Sequence, residues 1–203
     1  MPVKKAELKI TTRDEKKAVG VIHKALQDFI TKIPETGEKL AENPTARSRS
    51  IANNAAVKAA GVAGSLALPP GPLGLITIIP DLVAIWKIQS QMVADIAAAF
   101  GKEANLTRSQ MIYCLFKHSA GQVVRDLVVR AGQRVIVKRT TLRFIETVLK
   151  RVGIRVLQRT TGKILARWMP IVGAVGIGAY AYYDTAQVGK SAIELFSKEI
   201  VME

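Results

Sequence analysis

Residues 46–68 read ARSRSIANNAAVKAAGVAGSLAL, and the spacing of their small side chains decides the fold class. Ala52, Ala56, Ala60 and Gly64 recur every four residues, and so do Ala55, Ala59, Ala63 and Ala67. On a helix such a spacing gathers side chains along one face. Rows of small side chains let a second helix approach closely. Alanine also favours helix on its own account, so the rows suit an ordinary stable helix as well.

Working outward, Pro69, Pro70, Gly71, Pro72 and Gly74 break the pattern. Pro80 and Asp81 predict the next start, with Asp81 as N-cap or first-turn acid. From there Leu82, Ile85, Trp86, Ile88, Met92, Val93, Ile96 and Phe100 cover about 160° of a helical wheel. Lys87, Gln91 and Asp95 form a polar row outside that arc. Gly101 predicts the stop. Thr107 and Gln110 have capping-box spacing, opening a helix through Tyr113, Leu115 and Phe116 toward Val129. Upstream, Thr12 and Glu15 repeat that spacing ahead of Val19, Ile22, Leu26, Phe29 and Ile30, and Pro34 ends the segment. Residues 35–44 are polar and read as loop or frayed helix. Val135, Ile136 and Val137 would tolerate a strand, but no partner strand is visible nearby, so 133–149 reads as helix. The expected architecture is all-α: one compact helical domain of about six to eight helices with two Gly/Ala/Pro-rich apolar segments. Residues 1–45 would form an N-terminal helical arm and 46–203 the domain proper.

The chain has 203 residues, 30 Lys plus Arg against 16 Asp plus Glu, and a net charge of +14. Its pI is about 10.1, yet its mean hydropathy is +0.18. Such a chain suits a partner that is both anionic and apolar, as a membrane surface is. A wholly disordered chain is excluded by 49 % hydrophobic residues. One cysteine excludes an intramolecular disulfide framework and a multi-cysteine zinc site. The start, MPVKKAELKITTRDEKK, has no apolar core of a signal peptide, and a cytoplasmic protein is expected.

Charge is concentrated. Residues 125–167 hold 12 basic and 2 acidic groups, net +10. Within them Arg151, Arg155, Arg159, Lys163 and Arg167 recur every four residues, winding over about 160° of one helix face. Ile154, Leu157, Ile164, Leu165 and Trp168 fall opposite, while Val152 and Val156 blur the pattern. A basic amphipathic helix ending in Trp suits an anionic membrane surface. The competing reading is a solvated face over an ordinary core. Arg130, Arg134 and Lys138 extend the four-residue spacing upstream. Nucleic acid is disfavoured, because Phe144 is the one aromatic residue between Arg125 and Arg167 and no recognition signature appears.

Two stretches lack charge. Residues 59–80 number 22, long enough to cross a bilayer of about 30 Å as helix, but four prolines interrupt them. Residues 168–183 number 16, short for a span. Gly173, Gly176 and Gly178 would permit close packing there. Arg167 and Trp168 at one end, with Tyr180, Tyr182 and Tyr183 at the other, are placed as interfacial anchors would be. Burial in a soluble core is the alternative for both stretches.

No catalytic constellation stands out, and no metal or cofactor site is expected. The string VGKS at 188–191 lacks the glycine of a phosphate loop, since Asp184 occupies its position. Cys114 and His118 lie one helical turn apart but show no orienting group. His23 is flanked by lysine and reads as solvated.

The block GVAGSLALPPGPLGLITIIPDLVAIWKIQSQMVADIAAAFGKE and the block MPIVGAVGIGAYAYYDTAQVGKSAIELF resemble the bacterial EcsC family. The first resembles that family's small-residue helix, Gly/Pro-rich turn and Gln-containing helix closed by an aromatic-Gly pair, here Phe100 and Gly101. The second matches its closing motif, a Gly/Ala-rich apolar helix followed by a short amphipathic helix ending in Phe, at Pro170, Val172, Gly173, Ala174, Ala192 and Phe196. The resemblance covers about 70 residues and leaves 125–167 without a counterpart. It implies a helical, membrane-associated protein with no catalytic residues to carry over, and a transporter or GTPase as partner protein.

The functional expectation is a non-enzymatic, amphitropic protein at the cytoplasmic face of the inner membrane. Arg151, Arg155, Arg159, Lys163, Arg167 and Trp168 would meet anionic lipid. A soluble helical scaffold or nucleic-acid-binding module is the first alternative, and a lipid-acting enzyme the second. Homo-oligomerisation is compatible with all three.

Overall fold

Asn43 opens the first long helix. Its Oδ1 accepts the Ala46 N–H at 3.0 Å and its carbonyl accepts the Arg47 N–H at 3.0 Å. Pro44 follows at the first helical position, where its missing N–H costs nothing. The computed structural model describes residues 32–65, 74–124, 127–131, 134–137 and 170–202, with Gly20, Lys24, Arg143, Thr147 and Arg151. The described chain is mostly helical. Its elements are α1 (Pro44–Ser65), α2 (Gly74–Ala99), a 3-10 turn (Glu103–Asn105), α3 (Arg108–Val124), β1 (Val128–Ala131), β2 (Arg134–Val137), α4 (Pro170–Phe196) and β3 (Glu199–Met202).

α4 packs on α1, α2 and α3. The small-residue rows of α1 are the reason it can come so near. A Cβ added at Gly178 would stand 3.2 Å from the Ala60 carbonyl oxygen, and one at Gly189 would stand 2.7 Å from the Ala52 Cβ. Residue numbers rise along α4 as they fall along α1, so the two helices run antiparallel. Ala56 and Ala59 are fully buried in the same seam. The small rows therefore serve an internal contact. Larger side chains fill the space where α2, α3 and α4 meet, including Met92, Ile96, Ile112, Phe116, Leu195 and Phe196. Trp86 and Phe116 meet edge to face, with ring centroids 5.6 Å apart.

The turn from α2 to α3 follows the sequence closely. Gly101 adopts φ +65°, a conformation that costs glycine least. Its N–H bonds to the Ala98 carbonyl at 2.7 Å and the Lys102 N–H to that of Ala97 at 2.8 Å, a Schellman stop. Thr107 and Gln110 form the reciprocal box. The Gln110 Oε1 accepts the Thr107 N–H at 2.7 Å, and the Thr107 Oγ1 accepts the Gln110 N–H at 3.3 Å. Lys102 then reaches the end of α4 and donates to the carbonyls of Phe196 at 2.7 Å and Lys198 at 2.5 Å. A cation there satisfies carbonyls that the helix leaves open. Partial burial lowers the Lys102 pKa, and Glu199 opposes that shift.

Four expectations are corrected. α2 begins at Gly74 rather than at Pro80, so Asp81 lies inside it and is no cap. Proline deletes one helical hydrogen bond without ending the turns on either side. α3 stops at Val124, short of Val129. Residues 134–137 are strand, not helix: β2 pairs antiparallel with β1 and parallel with β3. A partner strand does lie nearby, in β1, and a second comes from far along the chain, in β3 at 199–202. Finally, the closing motif is one helix of 27 residues instead of an apolar helix followed by a second short one. The expected helix at 12–33 lies outside the described residues, except that Gly20 and Lys24 are helical and that Lys32 and Ile33, at its expected end, are not. Residues 32–43 are non-helical, as expected of 35–44, and lie along α2. Thr36 Oγ1 donates to Asp95 at 2.6 Å, Gln91 donates to the Glu35 carbonyl at 3.0 Å, and the Ala41 N–H donates to the Ala99 carbonyl at 3.1 Å.

Candidate functional site

The described part of the chain brings one histidine against an acid. His118, near the end of α3, meets Asp184 in the middle of α4, with Nε2 2.6 Å from Oδ1. The other carboxylate oxygen of Asp184 accepts from the Gln89 Nε2 of α2 at 2.7 Å, and the same nitrogen lies 3.2 Å from the Thr185 Oγ1. Gln89 and Thr185 are fully buried, and the Gln89 Oε1 has no hydrogen-bond partner. The ion pair is less enclosed, its side chains 22 % and 18 % exposed. A dry amide thus orients a carboxylate, and the carboxylate orients an imidazole near the surface. This relay can hold or pass a proton. It also joins three helices through groups that would be costly to bury alone.

Cys114 does not belong to it. Its thiol is fully buried, and burial raises its pKa well above the ordinary value, only partly opposed by Lys117. A thiol so placed is not a nucleophile. The one-turn spacing of Cys114 and His118 therefore brings together a core residue and a rim residue. Among the described residues no three His, Cys, Asp or Glu side chains could hold a metal ion. The VGKS string is mid-helix, with Gly189 turned to Ala52 and Ser191 Oγ donating to the Gln187 carbonyl at 3.0 Å. It cradles nothing.

Of the residues expected to meet lipid, Arg151 is helical and exposed. Arg155, Arg159, Lys163, Arg167 and Trp168 lie outside the described residues, as does His23. Arg143 and Thr147 are helical, and Thr147 Oγ1 donates to the Arg143 carbonyl at 2.9 Å. The upstream row does not continue on a helix: Arg130 belongs to β1 and Arg134 to β2, where Arg134 pairs with Glu199 at 2.9 Å. Among the described residues no helix is long and apolar enough to cross a membrane. Gly178 packs tightly, as expected of the glycines in α4, but Gly176 has nothing within 4 Å of its would-be Cβ.

Compared with known families, curated proteins and solved structures, the chain gives no match.

In the sequence Asp184 figures only as the residue in place of a phosphate-loop glycine, and Gln89 not at all. One signal for Asp184 was present, since it is the first charge after the uncharged run 168–183. An acid placed there needs a partner if the helix is to be buried. For Gln89, a polar residue among Trp86, Ile88, Met92 and Val93 was the corresponding sign.

Proposed function

We propose that this is a non-enzymatic, amphitropic protein of the EcsC type, a helical domain of six to eight helices that docks on the cytoplasmic face of a bacterial inner membrane. The observation that carries the reading is the net charge of +10 over residues 125–167, running directly into α4. Arg151, Arg155, Arg159, Lys163 and Arg167 meet anionic headgroups, and Trp168 lies at the interface below them. Each surface cation contributes about 1 kcal/mol at low ionic strength, so five acting together suffice for reversible docking. A transporter or GTPase on the same membrane is the protein partner that fits.

The test is co-sedimentation of the purified chain with phosphatidylglycerol-containing or pure phosphatidylcholine vesicles, at low and high salt. Binding to the anionic vesicles alone, weakened by salt and by changing Arg151, Arg155 and Arg159 to Gln, supports the reading. Binding to neither vesicle, or binding untouched by those changes, overturns it.

A further inference from the structure

No residue from Lys32 to Asn43 is buried. This non-helical segment lies along α2 and leads into α1. Ile33 and Ala41 touch the core from its margin. Leu40, the other sizeable aliphatic side chain, is 70 % exposed. Little apolar surface therefore holds the segment down.

Polar groups hold it instead, and most of them form one continuous network. Gln91, Asp95 and Ala99 recur every four residues and make a row along α2. Each of the three meets the segment. Gln91 Nε2 donates to the Glu35 carbonyl at 3.0 Å and to Asp95 Oδ1 at 2.9 Å. Thr36 Oγ1 donates to the same Asp95 oxygen at 2.6 Å and accepts the Glu38 N–H at 3.0 Å. The Glu38 carboxylate accepts from Nε and Nη2 of Arg47, on α1, at 3.1 and 2.7 Å. Further along, the Ala99 carbonyl accepts the Ala41 N–H at 3.1 Å. The Thr36 hydroxyl is the pivot, since it links the α2 side of the network to the α1 side.

Such contacts open more cheaply than a core does. They lie near water, which replaces each hydrogen bond as it breaks. They also fail together, because Thr36 and Asp95 each serve two partners. The helices have their own seams, in which α4 packs on α1, α2 and α3.

We infer that residues 33–41 are a strap, latched by Thr36, Asp95 and Arg47, which opens as a unit while the helical body stays folded. The inference goes beyond membrane docking and stands without it. Opening changes reach. The latched strap runs from the level of Gln91 to that of Ala99, about 12 Å along α2. Released, the same residues extend to about 30 Å. The strap joins the chain before it to the body, so it acts as a leash with a short and a long setting. Opening also bares the Asp95 carboxylate and the Arg47 guanidinium.

The experiment follows amide hydrogen exchange in the full chain across a series of sub-denaturing urea concentrations. The Ala41 N–H reports the strap, and the Phe116 N–H, in the buried middle of α3, reports the body. Ala41 is expected to exchange at least about a hundredfold faster than Phe116, relative to each amide's unstructured rate. Its exchange should hardly depend on urea, because a local opening exposes little surface. Two variants separate local from global opening. Thr36→Val breaks the latch and is expected to speed Ala41 exchange about tenfold. Gly189→Ala, in the α1–α4 seam, is expected to speed Phe116 exchange and leave Ala41 unchanged. Trypsin cleavage after the exposed Lys39 gives a second readout, faster in Thr36→Val and unmoved by Gly189→Ala. Ala41 exchange that shares the urea dependence of Phe116, or rises with it in Gly189→Ala, would mean that the strap opens only with the body and overturns the inference. Ala41 exchange and Lys39 cleavage untouched by Thr36→Val overturn it as well.

Discussion

Gly189 and Ala52 touch across the α1–α4 seam so closely that a Cβ on residue 189 would stand 2.7 Å from the alanine's own. That is shorter than two carbons tolerate, and the atom it would meet is a rigid methyl. Gly189→Ala should gain about 1 kcal/mol in helix propensity. It should lose about 1–3 kcal/mol to overpacking, for a net destabilisation. Gly176→Ala on the open side of the same helix should stabilise, because it gains the propensity without a clash. Denaturant unfolding of both proteins checks the opposite signs. Adding Ala52→Gly should recover part of the Gly189→Ala loss.

The polar relay predicts an order of costs. Asp184→Ala strips an acceptor from the buried Gln89 amide as well as from His118, which should cost about 1–3 kcal/mol. His118→Ala removes only the partly exposed end and should cost at most about 1 kcal/mol. Equal losses for the two would mean that Gln89 finds another partner, and unfolding curves settle the comparison.

Cys114 should resist modification. Its buried thiol, with a pKa raised by burial, should react with an aromatic disulfide reagent about a hundredfold or more slowly than in denaturant. Labelling then reports opening of the α2–α3–α4 core. Rapid labelling of folded protein would show that α3 opens far more readily than its packing implies.

Glu38 supplies a pH signature. The hydrogen bond from Arg47, at 2.7 Å, holds its carboxyl pKa below the ordinary 4.5, against opposition from burial. A depressed folded pKa means the folded state keeps the carboxylate charged longer than the unfolded chain does. The contribution is complete above pH 4.5 and is lost as pH falls through the lower folded value. The stability difference between the parent and Glu38→Gln should therefore be constant near neutrality and shrink below pH 4.5. Both side chains reach solvent, so salt should reduce the difference as well.

The parts of the fold that the sequence announced are those whose physics is local or periodic. Alanines four apart announced a close helix contact, Thr107 and Gln110 a capped start, and Gly101 a left-handed stop. Each needs only a few neighbouring residues. The start of α2 misled because Pro80 is a strong breaker by local rules, yet the helix runs through it. β2 was illegible for the converse reason. Its parallel neighbour at Glu199 is separated from Arg134 by 65 residues, and no local pattern carries such a pairing. The β1 side left a fainter trace, since Gly132 and Gln133 between two β-branched runs form a hairpin signal. The His118–Asp184 contact joins residues 66 apart, so residue types could suggest two singletons but not their meeting.

The place of α4 in the chain order has a consequence for biosynthesis. α1, α2 and α3 all leave the ribosome before the helix they share, and β2 leaves 65 residues before Glu199. At about 5–20 residues per second, that strand waits roughly 3–13 s for its neighbour. During the interval the alanine seam of α1 is bare and one edge of the hairpin is open. The nascent chain is then most vulnerable to sticking to other chains, and a chaperone or a nearby membrane would have its longest opportunity to hold it.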